Sequence, residues 1–367
     1  MMQAIKGQVF DGQRLWAERV LFLDAQGRIL DDVAGHDTPV AYVEGVLMPG
    51  FVDLQVNGGD GVMLGEALSP DGVARIAAAH QRLGCAGILP TLITDRPAQV
   101  TAAIAAVAGA IAQGASGVLG LHLEGPHLDP VRKGAHDATL IRPMTDADCA
   151  ELVAAAAILP NLKVTLAPEN VGLAQIRRLA DAGVIVSLGH SDCSYETARA
   201  AFDAGASCVT HLFNAMSGLG HRAPGLVGAA LDSDVAVGVI ADGEHVHPAA
   251  LRAALNAKQR GAIFAVSDAM AVAGSDLDSF DLGGRRVLRG AGRLTLADGT
   301  LAGADLTLAR AATGLTEMGQ PLERALAMVS SVPASVLRDP MGCGRLRAGV
   351  RVLHLNAGEA CWLGQDR

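Results

Sequence analysis

The chain of 367 residues has few large rings: aromatics make up 3% of it, although half of its residues are hydrophobic. Its interior must therefore be packed from Ala, Val, Leu and Ile. It has no surplus of positive charge either, with 29 Lys and Arg against 38 Asp and Glu and a formal charge of -9. That leaves no basic stripe for a polyphosphate backbone and argues against nucleic acid as a partner. The six cysteines (Cys85, Cys149, Cys193, Cys208, Cys343, Cys361) include no C-x-x-C pair. Neither a zinc knuckle nor a disulfide framework is expected, and reduced thiols are. The N-terminus, MMQAIKGQVFDGQRL, lacks the long apolar run of a secretory signal, so the expected location is cytoplasmic. The one stretch of membrane character, AQVTAAIAAVAGAIAQGASGVLGL, is mostly Ala and Gly and is interrupted at Gln113 and Ser116. It reads as a buried helix followed by a strand. No P-loop and no G-x-G-x-x-G stands in the right setting, so a nucleotide cofactor is not supported.

What is present changes rhythm at residue 49. Residues 1–48 alternate in short segments with turns (GQVFDG, RVLFLDAQGRIL, YVEGVLMPG), the pattern of a small β unit. From Phe51 onward, eight apolar runs follow: FVDLQVN, AGILPT, GVLGLHLE, KVTLAPE, VIVSLGH, CVTHLFN, VAVGVIAD and AIFAVSD. Helical stretches separate them, at Asp71–Leu83, Ala98–Ala112, Asp146–Ile158, Leu173–Ala182, Tyr195–Ala204 and Pro248–Lys258. Eight βα units in series predict an α/β fold with a closed (β/α)8 barrel over residues 49–338, with an open doubly wound sheet as the alternative. Paired Gly turns at 277–304 predict a β-hairpin insertion, and helices follow at Leu306–Met318 and Leu322–Val329. Residues 339–367 return to β rhythm and are expected to join residues 1–48 in a small β-sandwich formed by both chain ends.

The polar residues at the ends of the runs are Gln55, Asn57, Thr91, Glu124, Glu169, His190, His211, Asp242 and Asp268. In a barrel these ends meet on one face, where such enzymes build their sites. One carboxylate and two imidazoles, Glu124, His190 and His211, make a catalytic metal set with a position left for water. Asp268 is placed to take a proton from that water and pass it to a leaving group. His136, after the loop DPVRKGA, is either an exposed loop residue or a donor to a substrate carbonyl. His245 lies just past a strand, where a substrate group would sit. His122 points into the barrel as a lower support or a ligand; His127, His221 and His247 read as surface loop residues, and His36, His80 and His354 as structural or exposed. In FNAMSGLGHRAPG, the backbone at Asn214, Ala215, Ser217 and Gly218 suits an anion, and Arg222 adds a fork that fits phosphate; a solvated glycine-rich loop is the plain alternative.

Taken in order, LHLEGPHLDPVRKGAH, VSLGHSDCSYE, VTHLFNAMSGLGHRAPGLVGAAL, IADGEHVHP, VSDAM and LAGADLTL closely resemble the N-acetylglucosamine-6-phosphate deacetylases of the amidohydrolase superfamily. PGFVDLQVNGGDGV near the start extends the similarity over nearly the whole chain. The resemblance implies a metal-dependent hydrolase that cleaves the acetamide of N-acetylglucosamine 6-phosphate in amino sugar catabolism. It implies one divalent ion per subunit, zinc first and iron or another ion second, on Glu124, His190 and His211. Asp268 would be base and then acid, and His136 would help polarise the acetamide. Asn214, Ala215, His245 and Leu301 would contact the phosphorylated amino sugar. The resemblance also implies a homodimer in which Arg222 reaches the phosphate of the neighbouring subunit's substrate. Where many amidohydrolases carry His-x-His for a second metal, this chain has Gln55-Val56-Asn57, and amides are poor transition-metal ligands. Position 127 is His where relatives often have an aromatic. The rival readings are a deacetylase of N-acetylgalactosamine 6-phosphate or another N-acylated sugar, and a non-catalytic amidohydrolase-like assembly subunit.

Overall fold

The computed structural model describes residues 2–31 and 38–364, so His36 lies outside the described residues. Eight parallel strands stand in sequence order around a barrel: Phe51–Val56, Cys85–Ile93, Leu121–Glu124, Leu162–Leu166, Ile185–Leu188, Cys208–Val209, Ala236–Val239 and Ile263–Ala265. The fold is the (β/α)8 barrel, not the open sheet. The helices come within a residue or two of expectation, among them Asp146–Ile158, where Thr145 caps and Asp148 closes a capping box. The Ala-rich stretch is the helix Pro97–Ala112, with Val100, Ile104 and Val107 buried against the barrel. Among the described residues no helix is long and apolar enough to cross a membrane.

Two helices differ from the sequence expectation by being additional: Gly225–Leu231 and Ser331–Val336. The first is buried from Gly225 to Ala230, so it has no polar face whose period could be read. The strands are shorter than the apolar runs. In CVTHLFN only Cys208 and Val209 pair in the ladder, because the backbone turns into the left-handed region at His211 (φ 30°).

Both chain ends share one five-stranded sheet, in the order Glu359–Trp362, Val352–Asn356, Val40–Pro49, Gln3–Phe10, Leu15–Leu23. Strand Val40–Pro49 passes through Gly50 directly into the first barrel strand. Gly50 admits no side chain: a Cβ there would lie 2.3 Å from Cη2 of Trp362, whose indole N–H donates to the Gln81 carbonyl at 2.6 Å. The predicted hairpin is a four-stranded antiparallel meander, Ser279–Leu282, Arg285–Gly290, Arg293–Thr295 and Leu301–Ala304.

The barrel closes at a seam between its first and eighth strands. No ladder runs there; one parallel bridge, Val56 to Ala269, and the Asn57 N–H to Ala269 carbonyl bond at 2.8 Å join the two sides. The fully buried Asp53 supplements them by accepting the Ser267 N–H at 3.2 and 3.3 Å. Burial pushes this carboxyl up to about 7, against the hydrogen bonds from Ser267 and Gln55. The folded chain then holds the proton more tightly than the unfolded chain, whose aspartate titrates near ~3.9. The stability Asp53 contributes is complete below that value and is lost as pH rises through about 7. Asp53→Asn, which keeps an acceptor for Ser267, is expected to flatten this decline, read as urea midpoints at about pH 5 and about pH 8.

Candidate metal centre

The seam brings Gln55, Asn57 and Asp268 to the face that also receives the ends of the third, fifth and sixth strands. Glu124 is the last residue of its strand, whereas His190, His211 and Asp268 lie two or three residues beyond theirs. All three have positive φ, 48°, 30° and 49°, and this backbone swing turns their side chains over the barrel mouth. Glu124 Oε1, His211 Nε2 and His190 Nε2 form a triangle, with edges of 3.0 Å (Glu124–His211), 3.1 Å (His190–His211) and 3.3 Å (Glu124–His190). A tetrahedral ion with bonds of ~2.0–2.1 Å spaces its ligands by roughly 3.3 Å. The buried triangle therefore fits one divalent ion with little rearrangement.

The tautomers agree with that fit. His190 Nδ1 lies 2.8 Å from the Arg132 carbonyl, to which it donates, leaving a lone pair at Nε2. The His190 Nε2 lone pair and the Glu124 Oε1 oxygen then face one another beside His211 Nε2, and the buried Nδ1 of His211 has no partner among the described residues. A cation at the centre of the triangle satisfies such a set. Burial alone would push the Glu124 carboxyl up, but the adjoining His190 and His211 side chains outweigh it and hold the carboxyl well below the usual carboxylate range.

Gln55 and Asn57 turn their amide N–H groups to the two carboxylates. Gln55 Nε2 donates to Glu124 Oε1 at 3.1 Å and to Asp268 Oδ1 at 3.2 Å; Asn57 Nδ2 donates to the same Asp268 oxygen at 2.7 Å. An amide nitrogen thus stands between the carboxylates, where a second cation would compete for them. With Oδ1 doubly engaged, Oδ2 is the oxygen of Asp268 left for proton transfer. Burial, reinforced by the Glu124 charge, raises the Asp268 pKa.

His136 is buried, not the exposed loop residue of the plain reading. Its Nδ1 accepts the Thr94 N–H at 3.4 Å and lies 2.8 Å from the Thr94 hydroxyl, which assigns the ring proton to Nε2. Burial and the neighbouring His190 lower its pKa to about 3, so it stands in the pocket as a neutral N–H donor. His245 is held by Asp242, with Nδ1 2.6 Å from Oδ2; burial opposes its charge, but the Asp242 interactions raise its pKa overall. Sequence reasoning missed Thr94 as an orienting group and gave Asp242 only a place at a strand end. That position was the one signal for Asp242, whereas Thr94 lies three residues past the run AGILPT and carried none.

Glu124, His136, His190, His211, His245 and Asp268 line one pocket of about 260 Å³, together with Asn214, Ala215 and Leu301. The anion loop is only partly as expected. The N–H groups of Asn214 and Ser217 are spent on the carbonyls of His211 and Ser191, each at 3.0 Å, and the Ser217 hydroxyl accepts the Leu226 N–H at 2.7 Å. Ser217, Gly218 and Arg222 do not line the pocket of their own chain, and Arg222 is exposed. His122 is no ligand: its ring is pinned below the site between Thr91 and Thr165, 3.2 and 2.7 Å away. His127 is buried against the Arg142 carbonyl instead of lying on the surface, while His221 and His247 are exposed. Glu169 takes the Ser191 hydroxyl at 2.9 Å and stays outside the pocket.

The sequence matches the amidohydrolase family over residues 46–351. It is 40% identical over 298 residues to an N-acetylgalactosamine-6-phosphate deacetylase of Shewanella sp. (strain ANA-3), covering 81% of this chain and 75% of that one. It is 38% identical to an enzyme of the same name from Escherichia coli O157:H7, over 95% of both chains. Among solved structures, the N-acetylglucosamine-6-phosphate deacetylase of Pasteurella multocida superposes with a TM-score of 0.89 at 32% identity, over 98% of this chain and 97% of that one.

The triangle and the amide pair predict a stoichiometry. Purified protein is expected to retain about one divalent ion per chain by elemental analysis, not two. His211→Ala should lose the ion while keeping the parent's far-UV circular dichroism.

Proposed function

Since the chain belongs to the amidohydrolase family, we propose that it hydrolyses the acetamide of N-acetylglucosamine 6-phosphate to glucosamine 6-phosphate and acetate. It is an enzyme of the sugar-phosphate deacetylase kind. The observation that carries the reading is the junction, in one pocket, of the Glu124–His190–His211 triangle with a carboxylate and a neutral imidazole donor.

In this reading Glu124, His190 and His211 hold one divalent ion, zinc first and iron second. Such an ion, when bound, supplies Lewis acidity that lowers the pKa of water and polarises a carbonyl. Asp268 takes the proton of the attacking water at Oδ2, its other oxygen being held by Gln55 and Asn57. His136 donates its Nε2 proton in a hydrogen bond to the acetamide oxygen as negative charge grows there. The neutral state of His136 matters, because a fixed N–H dipole stabilises the developing oxyanion without adding a full charge to an already cationic site. Asp268 then returns its proton to the departing amine nitrogen. His245, oriented by Asp242, and Asn214, Ala215 and Leu301 serve the sugar and its phosphate. The exposure of Arg222 supports a role across a homodimer interface, toward the phosphate in the partner subunit. The protein is read as cytoplasmic, consistent with a phosphorylated substrate.

A second reading is the galacto epimer. It is favoured by the Shewanella and Escherichia coli relatives, which bear that name at 40% and 38% identity. Acetate release measured side by side on the two phosphorylated epimers and on unphosphorylated N-acetylglucosamine tests both readings. Activity on neither phosphorylated epimer would sink them. Asp268→Asn is expected to bind metal and substrate but to lose about 10²–10⁴-fold in kcat. A normal kcat in that variant removes Asp268 from the proton transfer. For Arg222→Ala the expectation is a KM for the phosphorylated sugar raised at least about tenfold with little change in kcat, measured by initial rates.

A further inference from the structure

A second cavity, of about 470 Å³, opens at the other end of the barrel, where Gly50 and Cys85 mark the starts of the first two strands and the terminal sheet packs beneath them. Among the described residues its charged lining is of one sign: Arg28, Arg82, Arg347 and Arg351 border it and no carboxylate does. That is unexpected in a chain with a formal charge of -9. The clefts elsewhere mix signs; the one beside Arg289 also carries Asp276 and Asp305.

Among the described residues, only Arg82 of the four has an acidic partner, Asp60 at 3.0 Å. Of the others, Arg28 and Arg351 are anchored along one edge and open along the rest. Arg28 Nη1 donates to the Gly349 carbonyl at 3.1 Å. Arg351 Nε donates to the Gln26 carbonyl at 3.1 Å, and its guanidinium stacks 5.3 Å above the Trp362 ring. Arg347 reaches Gly342 with the tip of its guanidinium, and a Cβ there would stand 2.1 Å from Nη2. Burial and the facing charge of Arg28 both lower the Arg351 pKa. Like charges gathered around one cavity, two of them held on carbonyls with donors left over, call for an anion.

We propose that this cleft binds a phosphate-bearing small molecule at a site separate from the amide-cleaving pocket. The guanidinium forks take the phosphoryl oxygens, and the Trp362 wall and glycine-rich floor take the remainder of the ligand. The cavity falls within the usual ~300–1,000 Å³ of small-molecule sites. Because its walls come from both the barrel and the terminal sheet, an occupant braces one against the other and raises the unfolding temperature.

The chain supplies its own reporter, since it has two tryptophans and Trp362 lines this cavity while Trp16 does not. In a Trp16→Phe background, inorganic phosphate, glucose 6-phosphate and glucose are titrated against Trp362 emission. The expected result is a saturable change with both phosphate-bearing probes and none with glucose. A lower half-saturation for glucose 6-phosphate identifies a sugar phosphate as the preferred occupant, and equal values identify phosphate itself. Arg28→Gln and Arg347→Gln, both at exposed positions, should each weaken the response at least about tenfold while leaving acetate release unchanged. Arg222→Ala should not alter it. The proposal is overturned by the absence of a saturable change, by an equal response to glucose, or by arginine variants that bind as the parent does. None of these outcomes depends on which sugar the catalytic pocket takes.

Discussion

The structure depends on closing a barrel whose first and eighth strands share no ladder. Asp53 takes the amide of Ser267 across that gap, one bridge joins Val56 to Ala269, and Asn57 bonds to the Ala269 carbonyl. The neighbours of these residues in the chain line or hold the pocket. Gln55 and Asn57 lie beside Asp53 on one side of the seam, and Asp268 follows Ser267 on the other. Closure therefore sets the distance from Asp268 to Glu124 through the shared Gln55 amide. A seam even slightly ajar would separate the proton acceptor from the triangle, and a 1 Å misplacement at such a site can cost about 10²-fold in rate.

A second layer of fixation comes from the meander. Its last strand docks on the residues after the eighth barrel strand, with the Ala304 N–H bonded to the Asp268 carbonyl at 2.9 Å. Gly303 makes this approach possible: at φ 66°, a Cβ would lie 2.4 Å from Met270 Cγ and 2.8 Å from that same carbonyl. Arg285 bonds the Ala135 carbonyl beside His136, and Arg293 pairs with Glu244 beside His245. The insertion thus grips the backbone next to three functional side chains at once.

The barrel was legible in the sequence because most βα units repeat an apolar run followed by a helical stretch, and this local pattern survives folding; the buried helix Gly225–Leu231 lacks it. The triangle was legible because Glu124 and His190 each end a run and His211 stands in the next one, and barrel topology converts that regularity into proximity. What could not be read depends on side-chain reach across the mouth. Gln55 meets Glu124 and Asp268 at sequence separations of 69 and 213, and His136 finds Thr94 at 42. No local rule ties such pairs together. The four arginines of the second cavity are likewise scattered from 28 to 351, and each alone reads as a solvated charge. The anion loop shows the converse error: its small residues promise free N–H groups, but the fold spends those of Asn214 and Ser217 on nearby carbonyls.

His190, His211 and Asp268 all sit in left-handed backbone, a conformation that costs a residue with a side chain on the order of 1–3 kcal/mol. Glycine would relax at each of these places, so the fold gains firmness by giving up the very groups that make it useful. The three torsions tie a backbone cost to side chains that face the pocket, so an exchange that relieved the backbone there would remove a ring or a carboxylate from its lining.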